Sequence, residues 1–418
     1  MNFTYLVVLF LAAVNPFLCS LNVDITATSA VLINSKTGRV LFQKNACQPM
    51  YPASCTKIAF ALYAIKFHGN LFNKRIITSR NAVKSMSEAQ KSKNNFSQVP
   101  SYVLETDASH TGLKVGEEMN FSDLVEATMV VSADDASNVL AEVMGNGSIE
   151  KCVEDVNRYM KTLGLQSTHF TNPHGLHHPE HVTTALDLAK LSQEAMKDPL
   201  FRKMASSTRF IRPKTNKQAS VYLQSTNRLL LKGTSSYYAP AIGIKTGYHR
   251  RAGHCLVAAA EKNDRSLIAV VLQGRSRDER FADITRIFEA AFKEQKTTKT
   301  YLHAGQQPFT KDIVGGEFPL TTYTTETVAL TYYPSEEPHT SCQLIWSNVE
   351  LPLKKGSPVG HLHFLADGQI VRKTTLYAAN DVDERIFYSL KKRSGLLAVV
   401  GFSVIAAISM FTVFRKRR

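Results

Sequence analysis

The spacing of apolar residues changes abruptly near residue 298 of this 418-residue chain. Before that point, strand-like segments enclose a long middle region with helical spacing, and a further helix closes the region. After it, alternating and β-branched residues dominate. Strands, then helices, then strands and a closing helix are typical of an α+β domain with a helical cluster on an antiparallel sheet. The sequence therefore predicts such a domain over residues 21–297 and a small all-β domain over 298–390.

The elements of the first domain are predicted from apolar periodicity and turn residues. A β-hairpin is predicted over 29–44, and later strands over 241–247, 252–260 and 266–274. The predicted helices cover 54–67, 121–144, 149–163, 183–196 and 280–292. Residues 82–110 are polar and without a sustained period, so we predict a loop there.

The two ends of the chain predict export and a membrane anchor. Residues 1–20 combine a short apolar core with Pro16 and small residues, as in a secretory signal peptide. Residues 394–414 include twenty successive positions without a charge, which is long enough for a transmembrane helix. A basic tail, RKRR, occupies 415–418. We therefore expect the two domains outside the membrane and the tail in the cytoplasm.

Composition excludes several other classes of protein. The formal net charge is +15, but no run of Lys and Arg interleaved with aromatic residues accompanies it, so no nucleic-acid partner is predicted. The six cysteines are scattered and form no C-x-x-C pair, which argues against a disulfide framework and against zinc. Four histidines lie in an irregular loop without a completing Cys or Glu pair: His174, His177, His178 and His181. We predict neither a metal nor a cofactor.

Three reactive side chains, Ser54, Cys55 and Lys57, occupy the start of the helix predicted over 54–67. On a helix, residues three apart share a face, so Lys57 can meet the Ser54 hydroxyl while Cys55 points toward the packed side. A serine hydroxyl becomes a nucleophile when a base takes its proton, and a buried lysine can be that base. On its own, the S-x-x-K pattern favours a capping serine and a surface lysine over a catalytic pair, because Ser and Lys are common.

Two later motifs favour a catalytic interpretation of this pattern. VVSADDASNVLAE places Ser132 and Asp134 in an apolar helical context, and GIKTGYHRRAG places Lys245, Thr246 and Gly247 at the end of a strand. The three motifs are separated by 78 and 113 residues. S-x-x-K, then a serine motif, then K-T-G is the order found in penicillin-recognising serine enzymes.

Over residues 25–390, the chain resembles the low-molecular-mass penicillin-binding proteins of the D-alanyl-D-alanine carboxypeptidase type. The resemblance rests on TGRVLFQKNA, PASCTK, SADDA, HFTNPHGL, KTG, GRSRDER and, in the β-rich region, KKGSPVGHL and ADG. It implies a β-lactamase/transpeptidase-like domain, a β-rich domain and a single-pass anchor in the bacterial cytoplasmic membrane, with the catalytic domain on the periplasmic side. The implied reaction removes the terminal D-alanine from peptidoglycan stem peptides, and β-lactams would be covalent inhibitors.

The resemblance also implies a role for each motif residue. Ser54 would be the acylated nucleophile and Lys57 its general base, while Ser132 would relay a proton to the leaving D-alanine under the charge of Lys245. The implied substrate-binding residues are Asp134, Lys245, Thr246, Gly247, Tyr248 and Arg280. Among these, Thr246 and Arg280 would bind the terminal carboxylate, and the backbone N–H groups of Ser54 and Tyr248 would form the oxyanion hole.

Two positions depart from the family pattern. Asp134 stands where the family usually has Asn, so a side-chain amide donor becomes a carboxylate that could pair with Lys57 or Lys245 and raise their pKa values. His249 stands where a Thr commonly follows K-T-G. Three alternatives therefore remain beside the carboxypeptidase: a D,D-endopeptidase, a weak β-lactamase, and a wall-binding protein with impaired acylation. Asp135 is predicted to be structural.

Overall fold

The computed structural model describes residues 6–9 and 21–386. These residues fall into two compact units whose boundary lies between Glu294 and Gln295.

The first unit is built on a five-stranded antiparallel sheet. Its strands, in spatial order, are Ala241–His249, Gly253–Lys262, Arg265–Gly274, Ser29–Asn34 and Val40–Lys44. The predicted strands and hairpin are thus confirmed, and Ala241–His249, which carries K-T-G, is an edge strand of this sheet. An edge strand presents unpaired backbone groups to whatever binds beside it.

Helices pack on both faces of this sheet. Along Ser29–Asn34, Val31 and Ile33 belong to one hydrophobic core, while Ala30 and Leu32 belong to the other, as the two-residue period of a strand requires. The second core is completed by the last helix of this unit, α8 (Arg277–Phe292). The helices are α1 (Lys57–Phe67), α2 (Glu88–Lys93), α3 (Phe121–Val130), α4 (Asp134–Met144), α5 (Ile149–Thr162), α6 (Ala185–Ala195), α7 (Pro199–Ala205) and α8 (Arg277–Phe292).

The prediction of one continuous helix over 121–144 is wrong. Helix α3 ends at Val130 and α4 begins at Asp134, and Ser132 lies between them with φ +65°. The apolar spacing runs across this break because both helices pack into the same core. Periodicity alone therefore could not locate the turn.

The prediction that 82–110 is only a loop is also incomplete. Helix α2 begins with a capping box in which Ser87 and Gln90 bond to each other's backbone. The same region contains a short strand pair, Ser85–Met86 with Leu104–Glu105. Two further short pairs of this unit join Arg75–Ile77 to Glu118–Asn120 and Arg209–Arg212 to Val221–Gln224.

The second unit is all-β, as predicted. One sheet has the order Leu6–Leu9, Thr340–Trp346, Pro358–Ala366, Gln369–Ala378, Leu320–Thr324 and Gly305–Lys311, and a separate pair joins Thr297–Leu302 to Val328–Tyr332. The turn predicted at Asp367-Gly368 connects two paired strands, with φ of 50° and 79° at its two residues. Both values are those of a type I′ hairpin turn.

The predicted membrane helix over 394–414 and the tail over 415–418 lie outside the described residues. The same is true of the predicted signal peptide except for Leu6–Leu9, which pair with Thr340–Trp346. Within the part of the chain that is described, no helix is long and apolar enough to cross a membrane.

Candidate active site

The predicted nucleophile lies in a tight turn immediately before α1. Residues Ala53–Thr56 form a single 3-10 turn, and the α-helix begins at Lys57. A hydrogen bond within the turn stabilises it, because the Thr56 hydroxyl donates to the Ala53 carbonyl at 2.8 Å. His181 Nδ1 accepts the Thr171 N–H, so its Nε2 carries the proton and donates to Thr56 Oγ1 at 2.8 Å. Ser54 is therefore presented by a hydrogen-bonded turn.

Lys57 connects three parts of the site. Its side chain is completely buried, and its Nζ lies 2.9 Å from Ser54 Oγ, 2.5 Å from Asp134 Oδ1 and 2.7 Å from the His174 carbonyl oxygen. These three contacts use the full hydrogen-bonding capacity of a lysine amine. The predicted approach of Lys57 to the Ser54 hydroxyl is confirmed, and of the two lysines considered for Asp134, Lys57 is its partner.

Burial controls the ionisation of the Lys57 and Asp134 pair. Desolvation lowers the pKa of Lys57 below its usual value, and the Asp134 carboxylate opposes that effect. Desolvation likewise raises the pKa of Asp134, against the opposing effect of Lys57. The expectation that Asp134 would raise the pKa of Lys57 is thus right for the pair interaction but wrong for the net direction, because the loss of water outweighs the neighbouring charge.

Ser132 occupies a strained position between α3 and α4. Its φ of +65° is uncommon for any residue other than glycine, and its side chain lines the same cavity as Ser54. Such conformations cost of order 1–3 kcal/mol and persist where surrounding structure enforces them. Hydrogen bonds on the following residues supply that enforcement, because the Ala133 N–H donates to the Ala127 carbonyl at 3.2 Å and the Asp134 N–H donates to the Ser109 carbonyl at 2.8 Å. The structure therefore brings the second predicted motif to the first.

The K-T-G segment lies along the edge strand beside the nucleophile turn. Lys245 is buried and its Nζ donates to the Thr246 carbonyl at 3.0 Å. Desolvation, with a further contribution from the positive charge of Lys57, lowers the pKa of Lys245 to about 7. Lys245 does not line the cavity, whereas Thr246 does. The electrostatic role implied for Lys245 stays a prediction.

Gly247 has a packing role that the sequence did not indicate. A Cβ at this position would lie 2.9 Å from the Pro52 carbonyl oxygen and 3.0 Å from the Ser54 nitrogen. Only glycine lets the edge strand run this close to the nucleophile turn. The predicted reason, close approach of a substrate, stays a prediction.

Arg280 and Tyr248 complete the predicted set. The Arg280 guanidinium is almost buried and donates to the carbonyls of Gly247 and Cys255 at 2.9 and 3.3 Å, while its Nε has no protein partner. The Tyr248 ring is 58% exposed and stacks on His254 with ring centroids 4.3 Å apart. Both residues line the cavity.

The cavity itself has a volume of about 650 Å³ and is open to solvent. It is lined by residues of all three motifs together with hydroxyl and guanidinium groups, including Ser54, Ser132, Thr226, Arg228, Thr246, Arg277 and Arg280. Asp134 is not among its lining residues, because its carboxylate points to Lys57. This volume is large enough to hold the last residues of a peptide, and not only a single amino acid.

Cys55 and the histidine group take other roles. The Cys55 thiol is buried against the Lys245 carbonyl, as predicted, and burial raises its pKa above the usual range. His174 Nδ1 accepts the Leu176 N–H, so Nε2 donates to the Tyr102 carbonyl. The described residues contain no cluster of three metal-binding side chains.

His249, the second departure from the family pattern, caps a turn. Its Nδ1 accepts the N–H groups of Arg251 and Ala252, and burial lowers its pKa to about 3.

Sequence reasoning missed several residues that shape the site. Gly175 has φ +92°, and a Cβ there would lie 1.9 Å from the Ala53 carbonyl oxygen. The neighbouring His174 carbonyl accepts from Lys57. The P-H-G sequence signals a turn, but no local signal places that turn against a segment more than a hundred residues earlier. Thr226, whose Oγ1 lies 2.7 Å from that of Thr246, was missed for the same reason.

Comparisons with known proteins agree with this geometry. Residues 16–276 match the family described as D-alanyl-D-alanine carboxypeptidase, and residues 297–384 match the one described as penicillin-binding protein 5, C-terminal domain. The D-alanyl-D-alanine carboxypeptidase DacF of Bacillus subtilis is 29% identical over 371 residues, which cover 88% of this chain and 89% of the relative.

Two solved structures extend the comparison. Penicillin-binding protein 5 of Haemophilus influenzae is 26% identical with a TM-score of 0.57, and covers 86% of this chain and 98% of its own. The DD-transpeptidase of Streptomyces K15 is 28% identical with a TM-score of 0.55, and covers 64% of this chain and 98% of its own. With motifs, fold and matches in agreement, the chain belongs to the D-alanyl-D-alanine carboxypeptidase family of serine-type, penicillin-binding hydrolases.

Proposed function

We propose that this protein removes the terminal D-alanine from peptidoglycan stem peptides through an acyl-enzyme on Ser54, and that β-lactams block it by acylating the same residue. The observation that carries the proposal is the buried Lys57 amine 2.9 Å from Ser54 Oγ, in a cavity shared with Ser132 and Arg280. A base in hydrogen-bond contact with a serine in a substrate-sized cavity is the arrangement that acyl transfer requires.

In the acylation step, Ser54 Oγ attacks the carbonyl carbon of the penultimate D-alanine, and its proton passes to the neutral amine of Lys57. The C–N bond then breaks, which leaves the ester on Ser54, and the proton held by Lys57 passes through the Ser132 hydroxyl to the departing amine, so that Lys57 is neutral again. In its charged form, Lys245 favours this delivery. The N–H groups of Ser54 and Tyr248 stabilise the oxyanion.

In the deacylation step, water attacks the ester carbonyl and gives a proton to the neutral amine of Lys57. The C–O bond to Ser54 then breaks, Lys57 returns the proton to Ser54 Oγ, and the shortened peptide leaves. In the substrate complex before acylation, Thr246 and Arg280 bind the carboxylate of the terminal D-alanine. This task suits the planar guanidinium group of arginine. Ala241–His249 is an edge strand, the kind of element beside which an extended peptide can add. A β-lactam acylates Ser54 in the same way, and the acyl-enzyme that it forms resists hydrolysis.

We also propose the topology that the sequence predicts. Residues 1–20 direct export, 394–414 anchor the chain in the cytoplasmic membrane and 415–418 stay in the cytoplasm, which brings the site to the periplasmic side where peptidoglycan lies. The support is the uncharged length of 394–414 and the basic tail after it. Membrane fractionation of the full chain beside a form truncated after residue 386 tests this: the full chain should sediment with membranes, and the truncated form should not.

The catalytic proposal is tested with an acylated D-Ala-D-Ala peptide and the purified full chain. We expect release of one D-alanine per peptide and none from Ser54→Ala. Lys57→Met should lose almost all acylation, because the base is gone. Peptide binding without D-alanine release would favour the wall-binding alternative, and would contradict the proposal.

A further inference from the structure

The active-site cavity is lined by more positive charge than is needed to bind the single carboxylate of one D-alanine. Three guanidinium groups line it, those of Arg228, Arg277 and Arg280, and no Asp or Glu is among its described lining residues. The departing D-alanine carries one carboxylate, which the proposed function assigns to Thr246 and Arg280. Two cationic side chains are therefore left without an assigned ligand.

Arg277 faces the cavity from the same helix as Arg280. It is the first residue of α8, and residues three apart share one helix face. Arg280 is almost buried and already donates to two carbonyls. Arg277 is exposed and forms neither a hydrogen bond nor an ion pair with any described residue. Its guanidinium is thus available to a ligand.

Arg228 approaches from a different segment, on the same side of the cavity. Thr226 contacts Thr246 through their hydroxyl oxygens at 2.7 Å, which fixes this segment beside K-T-G. Arg228 Nη1 lies 3.1 Å from Asp278 Oδ1, and this carboxylate is 75% exposed and outside the cavity lining. An ion pair this exposed is weak and leaves the remaining guanidinium donors free to bind.

We infer that Arg228 and Arg277 form a second anion subsite on the leaving-group side of the cavity, which binds an additional carboxylate of the departing amine. The inference rests on the proposed function and deepens it. Its consequence is a preference for leaving groups with two carboxylates, either a dicarboxylic D-amino acid or an acidic peptide.

The test compares three substrates that differ only in the last residue: acyl-D-Ala-D-Ala, acyl-D-Ala-D-Glu and acyl-D-Ala-D-Gln. D-Glu and D-Gln have nearly the same shape, so the ratio of their kcat/KM values isolates the second charge. We expect the wild-type protein to favour D-Glu about fivefold, the upper range for an exposed ion pair, and to lose this preference as salt is raised.

Two arginine variants separate a local subsite from the overall positive charge. Arg277→Gln should bring the D-Glu to D-Gln ratio close to one. Arg275→Gln removes the same charge from an exposed side chain that does not line the cavity, and should keep the ratio. A wild-type ratio of one or less, or an equal fall in both variants, would overturn the inference.

A binding measurement keeps this result distinct from failure of the proposed function. Ser54→Ala cannot be acylated, so the affinities of its complexes with the D-Glu and D-Gln peptides report on the subsite without turnover. Tighter binding of the D-Glu peptide supports the subsite even if no substrate is hydrolysed. Equal affinities refute it even if D-alanine is released efficiently.

Discussion

Replacing Asp134 by Asn changes the charge beside the proposed base with little change in shape. Asp134 Oδ1 lies 2.5 Å from Lys57 Nζ, and both side chains are buried. An anion at this distance favours the charged form of Lys57, so its loss lowers the pKa of Lys57 further. Because the proposed base acts as a neutral amine, the rising limb of the acylation rate against pH should move to lower pH in Asp134→Asn.

The size of this shift follows from the contact. An opposite charge near an ionisable group typically changes its pKa by about one to three units, and a buried contact is screened little by solvent. Other ionisable groups near the pair remain in the variant: Cys55, Lys91, His110, Asp135 and Lys245. We therefore expect the midpoint to fall by about one to three pH units.

The assay is the second-order rate of labelling by a fluorescent penicillin between pH 5 and 10. The new amide can also donate to a bound carbonyl and change the plateau rate, so the midpoint and not the plateau is the measured quantity. Circular dichroism across the same range checks folding. A midpoint that is the same in both proteins would refute the reasoning, as would a wild-type rate without any rising limb.

Three further predictions concern the surroundings of Ser54. Gly175→Ala should reduce acylation at least about tenfold, because its Cβ collides with the Ala53 carbonyl and displaces the nucleophile turn; labelling kinetics measure this, and a wild-type rate would contradict it. Asp135→Ala should lower the free energy of unfolding by about 2–4 kcal/mol in urea titrations, since its carboxylate accepts the N–H groups of Thr111 and Leu113; an unchanged midpoint would refute the structural role. Cys55→Ala should keep penicillin labelling, and loss of labelling in a folded variant would show that the thiol is needed.

Local patterns predicted the elements that depend on local physics. The strand around Lys245, the helix after Ser54 and the all-β second unit follow from periodicity and turn residues, and the order of the motifs predicts Ser54 as the nucleophile. The split between α3 and α4 was missed because both helices contribute to one core, so their apolar spacing continues across Ser132.

Long-range contacts are the main feature of the site that could not be predicted from the sequence. The Lys57 and Asp134 contact joins residues 77 apart, and neither motif specifies which lysine is the partner. The net pKa direction of Lys57 depends on how completely the fold excludes water, which a sequence pattern does not encode. Helix α2 is different, because Ser87 and Gln90 carried a readable capping signal within 82–110.

The central claim, that Ser54 is the acylated nucleophile, is tested most directly by the intact mass of the protein after penicillin treatment. We predict one added penicillin per chain, located by peptide mapping on Ser54 and absent from Ser54→Ala. An adduct located on another residue, or one that persists in Ser54→Ala, would contradict the account.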